Sequence, residues 1–295
     1  SQLMQSDSSD QTGLSSLYAK KSYPDHRQWL NLVQHVQEHL SQMTNPLKKV
    51  VLARQASYQS DQPLNAAAIW RRLVQQNPQA TVFALALPAG IWLGATPEYL
   101  FTAHGPHIKS MCLAGTAPRS ACPDEDERLA RELWHSSKNR QEHEAVRQRM
   151  ASVLQPYCED LQIPANPIIR KLPTVQHLYT PIQGQLHRAA DLWALAAALH
   201  PTPAVAGSPP QDAVGFLQQV EPFHRGWYAG VVGYVSLSGD AQFSVALRSA
   251  LIHSRSAHLF AGCGIMPDSQ PEEEWNESEW KMGTLKNALG IEENS

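Results

Sequence analysis

Apolar residues recur at helical spacing in several stretches of the chain. In residues 25–43, Leu30, Val33, Val36 and Leu40 lie three or four positions apart and would form one face of an amphipathic helix. A polar opposite face agrees with a helix that packs on a larger core. Similar patterns predict further helices at residues 64–76, 125–154 with a break near Ser136 and Ser137, 189–199, 212–219 and 272–289.

Between these helices the chain carries short apolar runs bounded by turn residues, which is typical of strands. Two pairs of runs are separated by a tight turn, at residues 88–90 and at residues 239–240, and therefore predict hairpins. Hairpins and separated helices, in place of regular βαβ units, favour an α+β fold. The predicted strands are residues 49–54, 81–87, 91–95, 99–103, 111–119, 174–180, 226–238, 241–252 and 258–262.

Length, charge and cysteine use limit the class of protein. We expect a flexible leader over residues 1–24 and a single domain over residues 25–295, which is long enough to bury a large core. A net charge of −3 with 17% charged residues and no basic run argues against nucleic-acid binding. No apolar segment reaches the length of a membrane span, so no membrane contact is expected. The four cysteines lack metal-binding spacing, which predicts reduced thiols and a cytoplasmic protein.

Two features near the C-terminus suggest contact with an anion. Gly262 and Gly264 flank a small residue after an apolar run, which predicts a turn with close backbone approach and N–H groups directed at a ligand. Arg248 lies within the predicted apolar strand 241–252, where a guanidinium is costly unless it meets an anion.

The last predicted helix carries a row of charges on one face. Glu274, Glu277 and Lys281 fall at positions i, i+3 and i+7, so two carboxylates and an ammonium lie together. Carboxylates beside a glycine turn suit Mg²⁺, which needs a few protein oxygens and leaves positions for an anionic ligand. The alternative is a solvated helix whose Glu and Lys side chains pair with each other.

Two ionisable residues are candidates for a base and an acid. Lys49 lies on the inward face of its strand, where desolvation would lower its pKa as a general base requires. The alternative is a strand-end lysine that reaches water. Glu98 follows Pro97 between two apolar runs, and a buried carboxyl there would have a raised pKa and hold a proton at neutral pH. An exposed turn glutamate is the alternative.

Glu142 and His200 are further candidates. Glu142 stands at the head of an inward-facing row of the helix over residues 125–154, where a carboxylate needs a partner such as a metal ion. A carboxylate that interacts with the helix dipole is the alternative. His200 begins a proline-rich loop, and such a lone histidine is more often structural than catalytic.

Nine sequence blocks, distributed from residue 49 to residue 281, follow one another in the order of a known family. The blocks are KVVLAR (49–54), GATPE (94–98), LAGTAPR (113–119), KNRQEHE (138–144), HPTPAVAG (200–207), EPFHRGWYAGVVGY (221–234), ALRSA (246–250), AGCGI (261–265) and EEWNESEWK (273–281). By these blocks the chain resembles the chorismate-utilising enzymes and, within them, the isochorismate synthases. So many blocks in family order make coincidence implausible.

The resemblance implies a role for each candidate residue. Lys49 would be the general base that activates water, and Glu98 the general acid that protonates the departing ring hydroxyl. Glu142 and Glu277 would bind Mg²⁺, with Glu274 beside them as a further or water-mediated ligand. The substrate-binding residues that the resemblance implies are Ala114, Gly115, Thr116, His200, Tyr228, Arg248, Gly262, Gly264 and Lys281.

The substrate implied by the resemblance is chorismate. Tyr228, Arg248 and the backbone N–H groups near Gly262 and Gly264 would hold the enolpyruvyl carboxylate, and Lys281 would assist Mg²⁺ at the ring carboxylate. Water would add at C2 while the C4 hydroxyl leaves, giving isochorismate for menaquinone or for a siderophore or salicylate. The implied fold is α+β, with large antiparallel β-sheets packed as a sandwich and helices outside, and we expect a monomer.

Three residues separate this chain from parts of the family. Ala114 stands where aminodeoxychorismate synthases commonly carry a nucleophilic lysine, so water or ammonia must attack. Cys263 replaces the usual alanine of the glycine turn, and Asn139 stands where relatives often have an acid.

Two alternative functions remain open. One is a salicylate synthase, which also eliminates pyruvate, and the other is a homologue that binds chorismate without turnover because little sequence precedes Lys49.

Overall fold

The computed structural model describes residues 17–187 and 192–291. Within these ranges the strands are β1 Leu17–Tyr23, β2 Lys49–Ser60, β3 Thr81–Leu87, β4 Gly90–Thr96, β5 Tyr99–His104, β6 His107–Pro118, β7 Cys158–Gln162, β8 Ile168–Lys171, β9 Val175–Leu186, β10 Gly207–Ser208, β11 Val231–Val235, β12 Ala241–Val245, β13 Ser249–His253 and β14 Ser256–Ile265. The helices are α1 His26–Leu40, α2 Ala66–Gln76, α3 Pro123–His135, α4 Ser137–Leu154, α5 Leu192–Leu199, α6 Pro210–Val220 and α7 Pro271–Leu289.

The strands form two antiparallel sheets. Sheet A has the order β1-β2-β14-β13-β4-β3, with the short strand β10 also paired to β2. Sheet B has the order β11-β12-β5-β6-β9-β7, with β8 paired to β9. Strands that are neighbours in space are often far apart in sequence, as β2 and β14 are, so an early and a late segment of the described chain lie hydrogen-bonded side by side in sheet A.

The main core lies between the two sheets. Trp92 and Phe260 of sheet A belong to the same buried cluster as Phe101 and Ile108 of sheet B, and side chains of α4 and α5 complete it. A second cluster covers the other face of sheet A with α2 and α7, and a third joins α1 and α6 to β2 and β14. Packed antiparallel sheets with helices outside confirm the predicted α+β architecture.

The predicted helices form where residues that cap a helix end flank an apolar stripe at helical spacing. At the start of α1 the Asp25 carboxylate accepts a hydrogen bond from the Gln28 N–H at 2.8 Å, and the Gln28 side chain accepts one from the Asp25 N–H at 3.0 Å. The predicted break near Ser136 is also confirmed, since α3 ends at His135 and α4 begins at Ser137. Ser136 has an extended backbone conformation, ends α3 and caps α4 by accepting a hydrogen bond from the Asn139 N–H.

The predicted strand over residues 241–252 is wrong as a single element. β12 belongs to sheet B and β13 to sheet A, so the chain crosses from one sheet to the other between them. Arg248 lies in this crossing with a φ of 49°, a left-handed conformation that a strand interior would not allow. The continuous apolar pattern hid the crossing because both strands are buried.

Two other local predictions need correction. Gly262 and Gly264 lie inside strand β14, opposite Ala53 and Val51 of β2, and not in a turn. The predicted leader over residues 1–24 is too long, because Leu17–Tyr23 forms β1 and pairs with β2. Residues 1–16, and residues 189–191 of the predicted helix over residues 189–199, lie outside the described ranges.

Strand β2 carries Lys49 and has an unusual outer edge. β1 and β10 pair with the two ends of this edge. Between them the Glu221 carboxylate accepts a hydrogen bond from the Ala53 N–H at 2.8 Å, and the Arg225 guanidinium donates one to the Val51 carbonyl at 2.5 Å. The Glu221–Arg225 ion pair, which is partly buried, therefore satisfies these backbone groups between the segments paired by β1 and β10.

Candidate active site

One cavity collects most of the residues that the sequence singled out. It is bordered by β2, β6, β14, the turn after β4, the Arg248 crossing and α7. Its lining also includes apolar groups such as Leu113, Val205 and Phe260, so it presents both polar and apolar surfaces to a ligand. The predicted site residues in its lining are Glu98, Ala114, Gly115, Thr116, Glu142, Tyr228, Arg248, Gly262, Gly264 and Lys281.

Lys49 points into the molecule from the first position of β2. Its side chain is 3% exposed, and its Nζ donates to Glu142 Oε1 at 2.7 Å. Burial opposes ionisation of Glu142, but the Lys49 charge and hydrogen bond outweigh burial and lower the pKa of the Glu142 carboxyl. The structure therefore excludes a strand-end lysine in water and joins the predicted base to a predicted metal ligand.

Glu98 is a buried carboxyl, and the exposed alternative is wrong. The residue is 5% exposed, and its backbone N–H donates to the Thr96 hydroxyl at 3.3 Å within the tight turn after β4. Burial raises the pKa of Glu98 to about 7, although the nearby charges of Lys49, Lys281 and Arg248 act in the opposite direction. Near neutral pH this group can therefore exist as the acid and donate a proton.

Helix α7 delivers two carboxylates and a lysine, as its spacing predicts. Glu274 and Glu277 have carboxylate oxygens within 4.8 Å of each other and of the Cys263 sulfur. The Lys281 side chain is 18% exposed, and its Nζ donates to Glu277 Oε1 at 2.5 Å and to the Gly262 carbonyl at 3.0 Å. Burial lowers the pKa of Lys281, but the Glu277 carboxylate outweighs burial and raises it. The Glu277–Lys281 pairing of the solvated-helix alternative is present, but this face is not solvated, because Glu274 is buried and both members of the pair are less than one-fifth exposed.

The carboxylates of Glu142, Glu274 and Glu277 act electrostatically on the same neighbouring lysine, Lys138. Burial and the neighbouring Glu277 charge raise the pKa of Glu274 above its ordinary value. Glu142 and Glu277 both act electrostatically on Lys138, whose Nζ donates to Glu274 Oε1 at 2.6 Å. The carboxylate oxygens of Glu274 and Glu277, which lie within 4.8 Å of each other, are the ligand type that Mg²⁺ and similar hard cations prefer, so these two residues fit a divalent metal.

Arg248 supplies a positive group for an anionic ligand. Its Nη2 donates to His177 Nε2 at 3.2 Å, while Nη1 is buried without a hydrogen-bond partner. Burial lowers the pKa of Arg248 to about 10, which leaves it charged near neutral pH. A buried guanidinium with a free donor is suited to a carboxylate. Tyr228 lies in the same lining, and burial raises the pKa of its hydroxyl to about 12, so it remains a donor.

His177 is a site residue that the sequence analysis missed. Its Nδ1 donates to the Gly115 carbonyl at 3.1 Å, which leaves Nε2 to accept from Arg248. Burial, together with the Arg248 and Lys281 charges, lowers the pKa of His177 well below its ordinary value, so the ring is neutral. The alternating pattern of residues 174–180 predicts the strand but not the face on which His177 lies.

Two glycines make room for the charged groups. A Cβ on Gly264 would lie 2.6 Å from Lys49 Cε and 2.8 Å from a carboxylate oxygen of Glu142. A Cβ on Gly262 would lie 2.9 Å from the Leu52 carbonyl and 3.1 Å from the Tyr228 hydroxyl. Three of these four distances are shorter than a real Cβ tolerates without movement and the fourth is tight, so glycine at both positions allows close approach of neighbouring groups within the strand.

His200 is not brought into this lining. It borders a neighbouring cavity of about 920 Å³, together with residues of α6 and the segment 221–230. Burial lowers the pKa of His200, and its Nδ1 is buried without a partner. Lys49, Glu274 and Glu277 are also absent from the lining. Lys49 and Glu277 are nevertheless hydrogen-bonded to residues that line the cavity, Glu142 and Lys281.

Fold and site together define a class. This is an α+β protein of two packed antiparallel sheets, whose buried polar site is suited to acid–base chemistry on a small anion beside a divalent metal. The sequence model of the chorismate binding enzyme family matches residues 1–290. The chain therefore belongs to the chorismate-binding enzymes.

Individual relatives agree in sequence and in structure. Isochorismate synthase MenF of Bacillus subtilis strain 168 is 36% identical over 268 residues, which cover 91% of this chain and 56% of that protein. The crystal structure of DhbC from Bacillus anthracis has a TM-score of 0.89 at 35% identity and covers 95% of this chain and 76% of that one. MenF from Escherichia coli, the menaquinone-specific isochorismate synthase, has a TM-score of 0.83 at 33% identity, with 93% and 63% covered. The chain thus spans about 56% of the length of the first relative.

Proposed function

We propose that this chain is an isochorismate synthase, an isomerase that converts chorismate to isochorismate with Mg²⁺ as its cofactor. Membership of the chorismate-binding enzymes and similarity to MenF and DhbC support this activity. The observation that carries the proposal is Glu98, a buried carboxyl whose pKa is about 7 and which lies within the electrostatic influence of Lys49. An acid and a base of this kind are the groups that exchange of one hydroxyl for another requires.

The cavity contains groups for both carboxylates of chorismate. Arg248 would bind the enolpyruvyl carboxylate with its free Nη1, and the Tyr228 hydroxyl would donate to the same group. The ring carboxylate would lie towards Lys281 and the carboxylate cluster. Glu142 and Glu277 would hold Mg²⁺ there, with Glu274 beside them. When bound, Mg²⁺ would neutralise and orient the ring carboxylate.

In the proposed reaction a water molecule adds to the ring and the C4 hydroxyl of chorismate leaves as water. Lys49 takes a proton from a water molecule whose oxygen bonds to C2. The ring double bonds shift as the C4–O bond breaks, and Glu98 donates its proton to the departing hydroxyl, which leaves as water. Lys49 ends as the ammonium and Glu98 as the carboxylate, and proton exchange with solvent restores both. Lys49 must separate from Glu142 before this step, because the two are paired in the structure.

Water is favoured as the nucleophile because Ala114 supplies no amine. Ala114 lies in the lining beside Gly115, where it leaves space and adds no reactive group. A protein nucleophile at this position would form a covalent adduct in place of free isochorismate. The absence of a nucleophilic side chain at Ala114 therefore supports the proposal that water is the nucleophile.

Incubation of the purified chain with chorismate, with and without Mg²⁺, tests the proposal. Separation of the products by chromatography should give isochorismate only when the metal is present. Salicylate with pyruvate would move the assignment to a salicylate synthase, and binding without any product would favour the non-catalytic homologue. Matched reactions with Glu98→Gln control for slow decay of chorismate itself.

The proposal includes a monomer in the cytoplasm with no nucleic-acid or membrane partner. The four cysteines lie in the described part of the chain and are free thiols, which supports a reducing compartment. Of the helices that the structure describes, none combines the length and apolar character needed to traverse a bilayer. Light scattering on the purified chain would test the monomer, since a mass near twice 32.7 kDa would contradict it.

A further inference from the structure

Each carboxylate of the cluster is paired with its own lysine. Lys49 donates to Glu142 at 2.7 Å, Lys138 to Glu274 at 2.6 Å, and Lys281 to Glu277 at 2.5 Å. Three negative and three positive charges thus balance one another where a divalent cation is expected. The ammonium groups occupy oxygens that a metal would also use, so metal and lysines compete for the same donors.

Lys138 differs from the other two lysines. Lys49 is buried and holds the predicted catalytic position, and Lys281 lines the substrate cavity. Lys138 lies in the first turn of α4, does not line that cavity, and has a side chain that is 24% exposed. Its flexible stem can carry the ammonium out to water while the backbone stays in place. Lys138 is therefore the member of the set that can yield its carboxylate to a metal.

The environment of Lys138 extends beyond its hydrogen bond. Its ammonium interacts electrostatically with all three carboxylates, most strongly with Glu274 and then with Glu277 and Glu142. The side chain of Glu274 is only 2% exposed, so the carboxylate depends on a nearby cation. A unit positive charge at this position repels a divalent cation at the neighbouring oxygens, and partial burial limits screening by salt.

We propose that Lys138 is a built-in cation that competes with the divalent metal for Glu274 and thereby sets the metal affinity of the site. This inference rests on the proposed function, which places the metal at these carboxylates. Lys138 acts here as a positioning residue, since it acts through Glu274. Without a metal, the Lys138 ammonium neutralises part of the negative charge of the cluster. When a metal binds, the same ammonium weakens its binding.

Metal titration of the substrate-free protein tests the inference. Mn²⁺ is added at pH 8.5, where protons compete little for the carboxylates, and free Mn²⁺ is followed by electron paramagnetic resonance. Lys138→Met should bind Mn²⁺ at least about tenfold more tightly than wild type, because a repelling charge is removed. Lys138→Gln, which can still donate a hydrogen bond, should behave in the same way, whereas Lys138→Arg should remain near wild type.

Lys286→Met is the matched control. Lys286 lies on α7 and, like Lys138, pairs with a glutamate. Its partner is Glu279, at 2.6 Å, and this pair is not part of the carboxylate cluster. This variant should leave Mn²⁺ affinity unchanged even if its melting temperature falls. A purely structural role of Lys138 would likewise lower the melting temperature without tightening metal binding.

The outcomes separate the inference from the proposed function. Unchanged or weaker Mn²⁺ binding by Lys138→Met, with normal binding by wild type, would overturn the competition while leaving the metal assignment intact. If neither protein bound Mn²⁺, both the competition and the metal assignment would fail. Formation of isochorismate from chorismate is measured separately and would then be judged without reference to Lys138.

Discussion

Replacement of Glu98 by glutamine should remove activity and make the folded protein more stable at neutral and alkaline pH. The glutamate is 5% exposed, and its pKa in the fold is about 7 against an ordinary value of 4.5. Glutamine has nearly the same shape and cannot ionise. The variant therefore keeps the packing of the turn after β4 but removes the cost of a buried negative charge.

The direction of the stability change follows from the raised pKa of Glu98. Below pH 4.5 the carboxyl is protonated in both the folded and the unfolded chain, so wild type and variant have similar stability. As pH rises from 4.5 to about 7, the unfolded chain ionises first, so the folded wild type loses stability until it ionises as well. The pKa difference corresponds to a loss on the order of 3 kcal/mol above pH 7, which glutamine avoids.

Urea denaturation at several pH values measures this effect. The free energy of unfolding of Glu98→Gln should exceed that of wild type by a margin that grows from pH 4.5 to pH 7 and then stays constant. Glu38→Gln, at an exposed position on α1, controls for the charge change alone and should show no such trend. A margin that is independent of pH would refute the raised pKa. The variant's turnover should also fall by about 10²–10⁴-fold, because it lacks a general acid.

Three further predictions concern the other site residues. Lys49→Ala should reduce kcat by about 10²–10⁴-fold while chorismate binding by calorimetry largely survives, and normal turnover would remove the base assignment. Glu277→Gln should raise the Mg²⁺ concentration needed for half-maximal activity more than it lowers the melting temperature, and unchanged Mg²⁺ activation would contradict the ligand assignment. Gly264→Ala should lower activity at least about tenfold with a folded circular dichroism spectrum, because a Cβ would lie 2.6 Å from Lys49 Cε, and full activity would show that Lys49 can shift freely.

Local patterns predict much of this fold because helices and hairpins are decided over short distances. The apolar stripe of α1, the break at Ser136 and the charged face of α7 are all consequences of side-chain spacing. The crossing at Arg248 is different. Both β12 and β13 are buried and apolar, so periodicity carries no mark where one sheet ends and the other begins.

The site is harder to predict because it depends on register between distant strands and helices. The Lys49–Glu142 pair joins β2 to α4, and the Arg248–His177 contact joins the crossing to β9. A shift of one residue in a strand would send either side chain to the opposite face. His177 illustrates this limit, because nothing in its neighbourhood distinguishes the inward face of β9 from the outward one before the pairing with β6 is known.

The buried charges are better explained by chemistry than by stability. A buried ion pair commonly contributes little to folding and is often no more stable than well-packed apolar residues. Here three lysine–glutamate pairs, an acid whose pKa is about 7 and an arginine with a free donor are gathered between the sheets and α7. The separate apolar clusters on both faces of sheet A provide the burial that holds this polar region in place. Such a division, with apolar cores around a costly polar centre, is the arrangement expected where charge must be available for binding and proton transfer.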